Sequence, residues 1–155
     1  MTRTAAKSAI ALGVILLGAA GAARAQEAAG GGAAAAAAVR AVLDKQVEAW
    51  NRGDLETFMA GYWRSPDLVF QSGATVTRGW QATRERYRRR YQSEGREMGR
   101  LRFEELDVQT LGADAAFIRG RWHLTMKDGS EPNGLFTLLA RRIDGAWKIV
   151  HDHTS

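Results

Sequence analysis

The chain has 155 residues, which is enough for one domain with a buried core and too few for two. It contains no cysteine, so disulfides, thiolate nucleophiles and thiolate metal sites are all excluded. Its formal net charge is +5, a basic balance that raises the question of a nucleic-acid partner. Five Trp, five Phe and three Tyr supply the apolar area for a core that needs no covalent staple.

The first 25 residues have the pattern of a secretory signal. Arg3 and Lys7 form a positive start, an apolar stretch covers residues 10–17, and Ala23-Arg24-Ala25 has the form that signal peptidase cleaves. The apolar run is short and rich in Ala and Gly, which favours cleavage after residue 25 over retention as a membrane anchor. We therefore expect a periplasmic or secreted protein with no membrane contact after cleavage.

Cleavage would also lower the net charge to +2, because Arg3, Lys7 and Arg24 leave and no acidic residue leaves with them. Much of the basic character then belongs to the export sequence, and we expect no nucleic-acid partner. Residues 26–34 form an Ala/Gly tract that predicts a flexible tether. The folded domain is expected to span residues 35–155.

Apolar residues at helical spacing predict three helices in the first half of this domain. The first helix carries one apolar stripe: Val39, Val42, Leu43, Gln46, Val47 and Trp50. Gly53 can end that helix in a left-handed conformation, and Asp54 can cap a short second helix. The third helix is predicted from Trp80 to about Tyr91.

The remaining segments predict strands separated by turns. Residues 68–72 and 75–78 form a hairpin, and four long β-prone runs follow at residues 101–110, 115–126, 135–142 and 147–154. Asp-Gly at residues 144–145 is the clearest hairpin signal. Helices followed by a meander of antiparallel strands predict a two-layer α+β domain.

The turn at residues 144–145 also predicts the register of the last two strands. If alternation is unbroken, Leu138 pairs with His151. Two residues further along, Phe136 pairs with His153. Paired residues share a face, so both histidines are predicted to point with apolar residues toward the helices, and the inward set contains no carboxylate. A slip of one residue would invert this arrangement. The opposite, half-apolar face is expected to form a dimer.

Four pieces of the chain are recognisable together: Ala49-Trp50-Asn51-Arg52-Gly53-Asp54, Ser65-Pro66-Asp67-Leu68-Val69-Phe70, Arg78-Gly79-Trp80, and residues 144–155. With this order and spacing, residues 35–155 resemble the SnoaL-like and ketosteroid-isomerase-like proteins of the nuclear-transport-factor-2-like superfamily. The last piece is also similar to the end of the association (hub) domain of calcium/calmodulin-dependent kinases.

The resemblance implies a cone-shaped fold in which a curved antiparallel sheet wraps around N-terminal helices, with a pocket between them and commonly a homodimer. It implies no single activity, because the superfamily includes isomerases, dehydratases, hydrolases and non-catalytic modules. Pocket arginines of hub domains correspond to Trp122 and Leu138 here, and an acidic pocket residue corresponds to Gln71, so carboxylate binding of the hub type does not transfer. Steroid isomerases use inward carboxylates, which the predicted register lacks.

His151 and His153 are the candidate catalytic residues, because imidazole titrates near neutral pH and serves as a general acid or base. A metal site needs at least a third ligand, and none is expected to point inward, so no metal is predicted. Since a base without an orienting partner is incomplete, hydrogen-bonded pocket histidines are the favoured interpretation. The candidate ligand-binding residues are Tyr62, Trp63, Phe70, Gln71, Tyr87, Trp122, Phe136 and Leu138. For the aromatic residues among them, ordinary core packing is the alternative.

Arginines are concentrated in residues 84–91. This pattern is compatible with an anion site, but such runs are more often solvated helix faces.

Three functions remain open. The favoured one is an exported domain that binds an unknown small molecule in a mostly apolar pocket, as a homodimer. The alternatives are a cofactor-independent isomerase or dehydratase with His151 or His153 as the base, and a homo-oligomeric assembly module.

Overall fold

The structure is a computed structural model that describes residues 15–155, with side chains from residue 30 onward. The predicted signal begins in residues 1–14, which lie outside the described residues. The elements in chain order are α1 (Ile15–Asn51), α2 (Leu55–Met59), β1 (Val69–Ser72), β2 (Thr75–Arg78), α3 (Trp80–Tyr91), β3 (Arg100–Thr110), β4 (Ala115–Thr125), β5 (Asn133–Ile143) and β6 (Ala146–Thr154).

The three predicted helices are present, and α1 is longer than the sequence pattern predicts. It includes residues 26–34, where the Ala/Gly tract predicts a flexible tether. Alanine has the highest helix propensity, and the six consecutive alanines at residues 33–38 extend the helix toward the N-terminus. At the other end, Gly53 has a φ of 76°. The side chain of Asp54 then caps α2 by accepting a 2.9 Å hydrogen bond from the backbone N–H of Thr57.

The strands form one six-stranded sheet in the order β2-β1-β6-β5-β4-β3. All neighbouring strands are antiparallel except β1 and β6, which pair in parallel through partners such as Val69 and His151. The sheet is therefore mixed, whereas the sequence predicts an antiparallel one. The parallel pair follows from the chain path, because the β1–β2 hairpin is placed beside the last strand and not beside the next one along the chain. The predicted α+β class is confirmed.

The register of β5 and β6 agrees with the prediction only next to their turn. Ala140 pairs with Ile149, as the turn predicts. A bulge then shifts the register by one residue, so that Leu138 pairs with Asp152. The predicted pair of Leu138 with His151 is wrong, because the extra residue of a bulge changes which partner lies opposite every later position.

The bulge exchanges the two faces of the second half of β6. Phe136 pairs with Thr154, so its predicted pairing with His153 is also wrong. Asp152 now shares the inner face with the core residues of β5 and is only 5% exposed. His151 and His153 lie on the outer face. The expectation that the inner face contains no carboxylate is therefore wrong.

The core lies between the helices and the inner face of the sheet. Among the side chains described, Leu43 of α1 and Ile118 of β4 are buried to 1% and 0% exposure. No helix in the described part of the chain has the length and apolar character needed to cross a membrane.

Candidate functional site

At one end of the core the helices and the sheet do not close together, and a cavity of about 190 Å³ lies between them. Liquid water occupies about 30 Å³ per molecule, so this is the volume of roughly six waters. Sites for drug-sized ligands have about 300–1,000 Å³, so this cavity fits a smaller organic molecule.

Six of the eight predicted ligand-binding residues line the cavity: Tyr62, Phe70, Tyr87, Trp122, Phe136 and Leu138. Trp63 and Gln71 are not among its lining residues. Gln71 lies between two lining residues of β1, Phe70 and Ser72, so alternation turns it to the other face. Trp63 follows the lining residue Tyr62 and is half-buried, and its backbone N–H donates to the Ile149 carbonyl at 2.9 Å.

Asp152 is a buried carboxyl group in the cavity wall. Its Oδ2 accepts a 2.7 Å hydrogen bond from the hydroxyl of Tyr62. The hydroxyl oxygens of Tyr62 and Tyr87 lie 3.3 Å apart. Because the Tyr62 proton is directed to Asp152, Tyr87 is the donor in this second bond. The three side chains therefore form a directed chain from Tyr87 through Tyr62 to the carboxyl group.

The other carboxyl oxygen of Asp152, Oδ1, is buried and has no hydrogen-bond partner among the described residues. Buried polar atoms in native proteins are nearly always paired, and leaving one unpaired costs about 1–3 kcal/mol. Such an exception requires an explanation. Asp152 lines the cavity, so a small rotation of its carboxyl group would bring this oxygen within reach of a hydrogen-bonding group of a bound molecule.

Burial raises the pKa of Asp152 to about 7, although the hydrogen bond from Tyr62 acts in the opposite direction. Burial is also the main reason that the pKa values of Tyr62 and Tyr87 lie well above their usual range, and the charge of Asp152 adds to it. Both tyrosines therefore remain protonated donors at neutral pH. The carboxyl group populates both of its forms near pH 7, which is the condition for efficient proton transfer in either direction.

Aromatic rings hold this hydroxyl chain in place. The ring of Tyr87 has its centroid within 5.2–6.4 Å of five other rings: Trp50, Phe58, Tyr62, Phe70 and Tyr91. Trp50 is itself anchored, since its indole N–H donates to the carbonyl of Met98 at 2.9 Å. Packed aromatic side chains with satisfied polar ends have little rotational freedom, so the position of the Tyr87 hydroxyl is fixed before a ligand arrives.

The predicted catalytic histidines lie away from this cavity. His153 is exposed and His151 is half-buried on the outer face of β6. Burial, followed by the neighbouring charge of His153, lowers the pKa of His151. His151 and His153 therefore do not point into the core, which was the reason for proposing them as general bases. Within the residues that the structure describes, no three His, Asp or Glu side chains converge in a way that could hold a metal ion.

Sequence reasoning missed Asp152 because it extended alternation through β6 without a break. No pattern in the sequence favoured the alternative, since Asp is among the residues least often buried. It also missed two arginines of the run at residues 84–91, Arg86 and Arg90, which line the cavity from α3. Three others are surface residues in ion pairs, as a solvated helix face predicts: Arg84, Arg88 and Arg89.

The sequence profile of the SnoaL-like domain matches residues 39–155. The chain belongs to the SnoaL-like domain family. This confirms the resemblance inferred from its four sequence pieces. No curated protein matches it at a significant level.

Solved structures share the fold of this chain. A nuclear-transport-factor-2-like protein of unknown function from Shewanella oneidensis MR-1 is 38% identical, with a TM-score of 0.70 over 76% of this chain and 95% of that one. A ketosteroid isomerase-like protein from Erwinia carotovora atroseptica SCRI1043 is 24% identical, with a TM-score of 0.59 over 77% of this chain and 94% of that one. A putative calcium/calmodulin-dependent protein kinase II association domain from Xanthomonas campestris is 21% identical, with a TM-score of 0.57 over 76% of this chain and 84% of that one.

Proposed function

We propose that this SnoaL-like domain binds a small organic molecule in its cavity and transfers a proton on it through Asp152, as a cofactor-independent isomerase or dehydratase does. The observation that carries the proposal is the arrangement of one buried carboxyl group. Asp152 lines the cavity, Tyr62 holds one of its oxygens, and the other oxygen is buried without a partner among the described residues.

The shape and lining of the cavity support the binding half of the proposal. Ligand sites are typically concave and mostly apolar, with a few polar groups that fix the orientation of the ligand. Here the aromatic wall supplies contact area, and Asp152 supplies the orienting group at the inner end.

The geometry of Asp152 supports the chemical half. In its ionised form, the carboxylate of Asp152 can accept a proton from a carbon atom next to a carbonyl group. The bond from Tyr62 to Oδ2 keeps the carboxylate in one orientation while this happens. The neutral acid can exchange its proton with solvent and then returns a proton to the ligand. Delivery to another carbon of the ligand gives an isomer, and delivery to a leaving hydroxyl group releases water.

Binding without reaction is the second candidate, and the largely aromatic lining favours it, because such a wall binds an apolar molecule without further chemistry. We also propose that the protein is exported, because its first 25 residues resemble a secretory signal. We further propose a homodimer through the outer face of the sheet, where the apolar side chain of Leu135 is 53% exposed.

Hydrogen–deuterium exchange tests the chemistry without requiring that the substrate be identified. The full chain is incubated in D₂O with a panel of small ketones and 3-hydroxycarbonyl compounds, and mass spectrometry measures deuterium uptake next to the carbonyl group. We expect at least one compound to exchange faster with the wild type than with Asp152→Asn. His153→Gln is the matched control and should behave as the wild type. Equal exchange in the wild type and Asp152→Asn would contradict the proposal.

A further inference from the structure

The arginines of α3 fall into two groups with different surroundings. On the outer side, Arg84 is paired with Glu56, and Arg88 and Arg89 are paired with Glu85. The second group consists of Arg86 and Arg90, which have no carboxylate partner among the described side chains. These two are separated by four residues, so they project from the same face of the helix.

Arg86 and Arg90 both line the cavity that contains Asp152. The Arg86 guanidinium lies 5.6 Å from the centre of the Phe70 ring, and that of Arg90 lies 5.5 Å from the centre of the Tyr91 ring. Arg86 is half-buried, whereas Arg90 is exposed, so the pair extends from the cavity wall to solvent.

Contact with aromatic rings positions these guanidinium groups without using up their hydrogen-bonding capacity. A cation over a ring face is held by the ring quadrupole, and the N–H groups of the guanidinium fork stay free for an acceptor in its plane. Arg90 directs one N–H to the Tyr91 hydroxyl at 3.2 Å, which fixes the side chain further. The remaining donors of the pair are oriented and available.

The charges of this pair are also uncompensated. Like charges four residues apart on a helix repel each other. Burial of Arg86 removes part of its hydration, and no carboxylate replaces that hydration in the described part of the chain. Asp152 forms no ion pair with Arg86 or Arg90 among the described residues, and its hydrogen bond is to Tyr62. An anion between the two guanidinium groups would relieve both costs through charge-assisted bonds.

We propose that Arg86 and Arg90 bind the carboxylate group of the ligand, and that the natural ligand is therefore a small organic acid. Its anionic end lies at the cavity mouth, its body contacts the aromatic wall, and its other, polar end meets the carboxyl group of Asp152. This inference rests on the proposed function, since it assigns a ligand class to the same cavity.

Matched acids and amides test this assignment on the full chain. The probes are phenylacetate and 3-phenylpropionate, each compared with its primary amide by NMR titration at low salt. Loss of a charge-assisted bidentate contact corresponds to about a tenfold change in affinity or more, so the acids should bind about tenfold more tightly than the amides. In the double variant Arg86→Gln/Arg90→Gln the two should bind within about twofold, with the affinity for the amides unchanged.

Control variants separate this result from a general charge effect. The outer-face double variant Arg88→Gln/Arg89→Gln removes the same charge and should keep the preference for acids. The single variant Arg90→Gln changes an exposed position and should lower the preference to about threefold, whether or not the double variant folds.

Three results among the measured affinities would overturn the inference, and so would the absence of any binding. They are equal binding of acid and amide by the wild type, an acid preference that survives in Arg86→Gln/Arg90→Gln, and its loss in the outer-face variant. None of them affects proton transfer by Asp152, which the exchange experiment measures separately. If neither acid nor amide binds at millimolar concentration, the carboxylate assignment fails. If Asp152→Asn also leaves exchange unchanged, the proposed function fails as well.

Discussion

Replacing Asp152 by Asn should change the pH dependence of folding stability, because burial has raised the pKa of this carboxyl group. The folded-state pKa is about 7, compared with an ordinary value of 3.8. This difference of about three units corresponds to about 4 kcal/mol. A raised acid pKa means that the folded state binds the proton more tightly than the unfolded state. The contribution of the Asp152 carboxyl group to the stability of the fold is therefore complete below about pH 4 and is lost as the pH rises through 7.

Asparagine keeps the shape of the side chain and can accept the Tyr62 bond, but it does not titrate. We expect the free energy of unfolding of the variant, minus that of the wild type, to increase by about 4 kcal/mol between pH 4 and pH 8. Urea denaturation followed by tryptophan fluorescence measures both values. The exposed substitution Asp67→Asn is the matched control for the change in chemistry.

The difference between the two proteins isolates Asp152 from the other groups around it. The tyrosines that face it, Tyr62 and Tyr87, stay protonated over this range, because their pKa values are raised. A difference that stays constant from pH 4 to pH 8 would refute the argument that Asp152 is buried and tightly protonated.

Three further predictions follow from contacts in the fold. Tyr62→Phe removes the hydroxyl bond to Asp152 and should destabilise the protein by about 1–3 kcal/mol at pH 7 in urea denaturation, so an unchanged midpoint would contradict the hydrogen-bonded chain. Asn51 exchanges two hydrogen bonds with the backbone of Leu101, at 3.0 and 2.7 Å, and Asn51→Ala should also cost about 1–3 kcal/mol, measured as a lower melting temperature. Light scattering should give the mass of a dimer for the wild type and of a monomer for Leu135→Glu, whereas a monomeric wild type would rule out the predicted homodimer.

Most of the fold was predictable, because its signals are local. The strands β4 and β5 alternate without a break, so the 144–145 turn and the period of two place Ile118, Leu124 and Leu138 on the correct face. The caps and turns near Gly53 are set by residue types with strong conformational preferences.

The candidate site was not predictable, because it depends on one bulge and on long-range pairing. The bulge in β6 inserts a residue into a strand that also pairs with β1, far away in the sequence. No local pattern of residues marks that position, and one inserted residue is enough to exchange Asp152 with His151 and His153.

The two cavity arginines were not predicted for a different reason. Arg86 and Arg90 flank the inward tyrosines of α3, and their long side chains reach the cavity from positions that a helical projection places outside it.

Titration of the Asp152 carboxyl carbon by ¹³C NMR, assigned by comparison with Asp152→Asn, measures the protonation of the cavity acid. We expect a midpoint of about 7, which Tyr62→Phe raises further because it removes the bond that favours the ionised form. A midpoint near the ordinary value of 3.8 would show that the carboxyl group is solvated, and it would contradict proton transfer through a buried cavity acid.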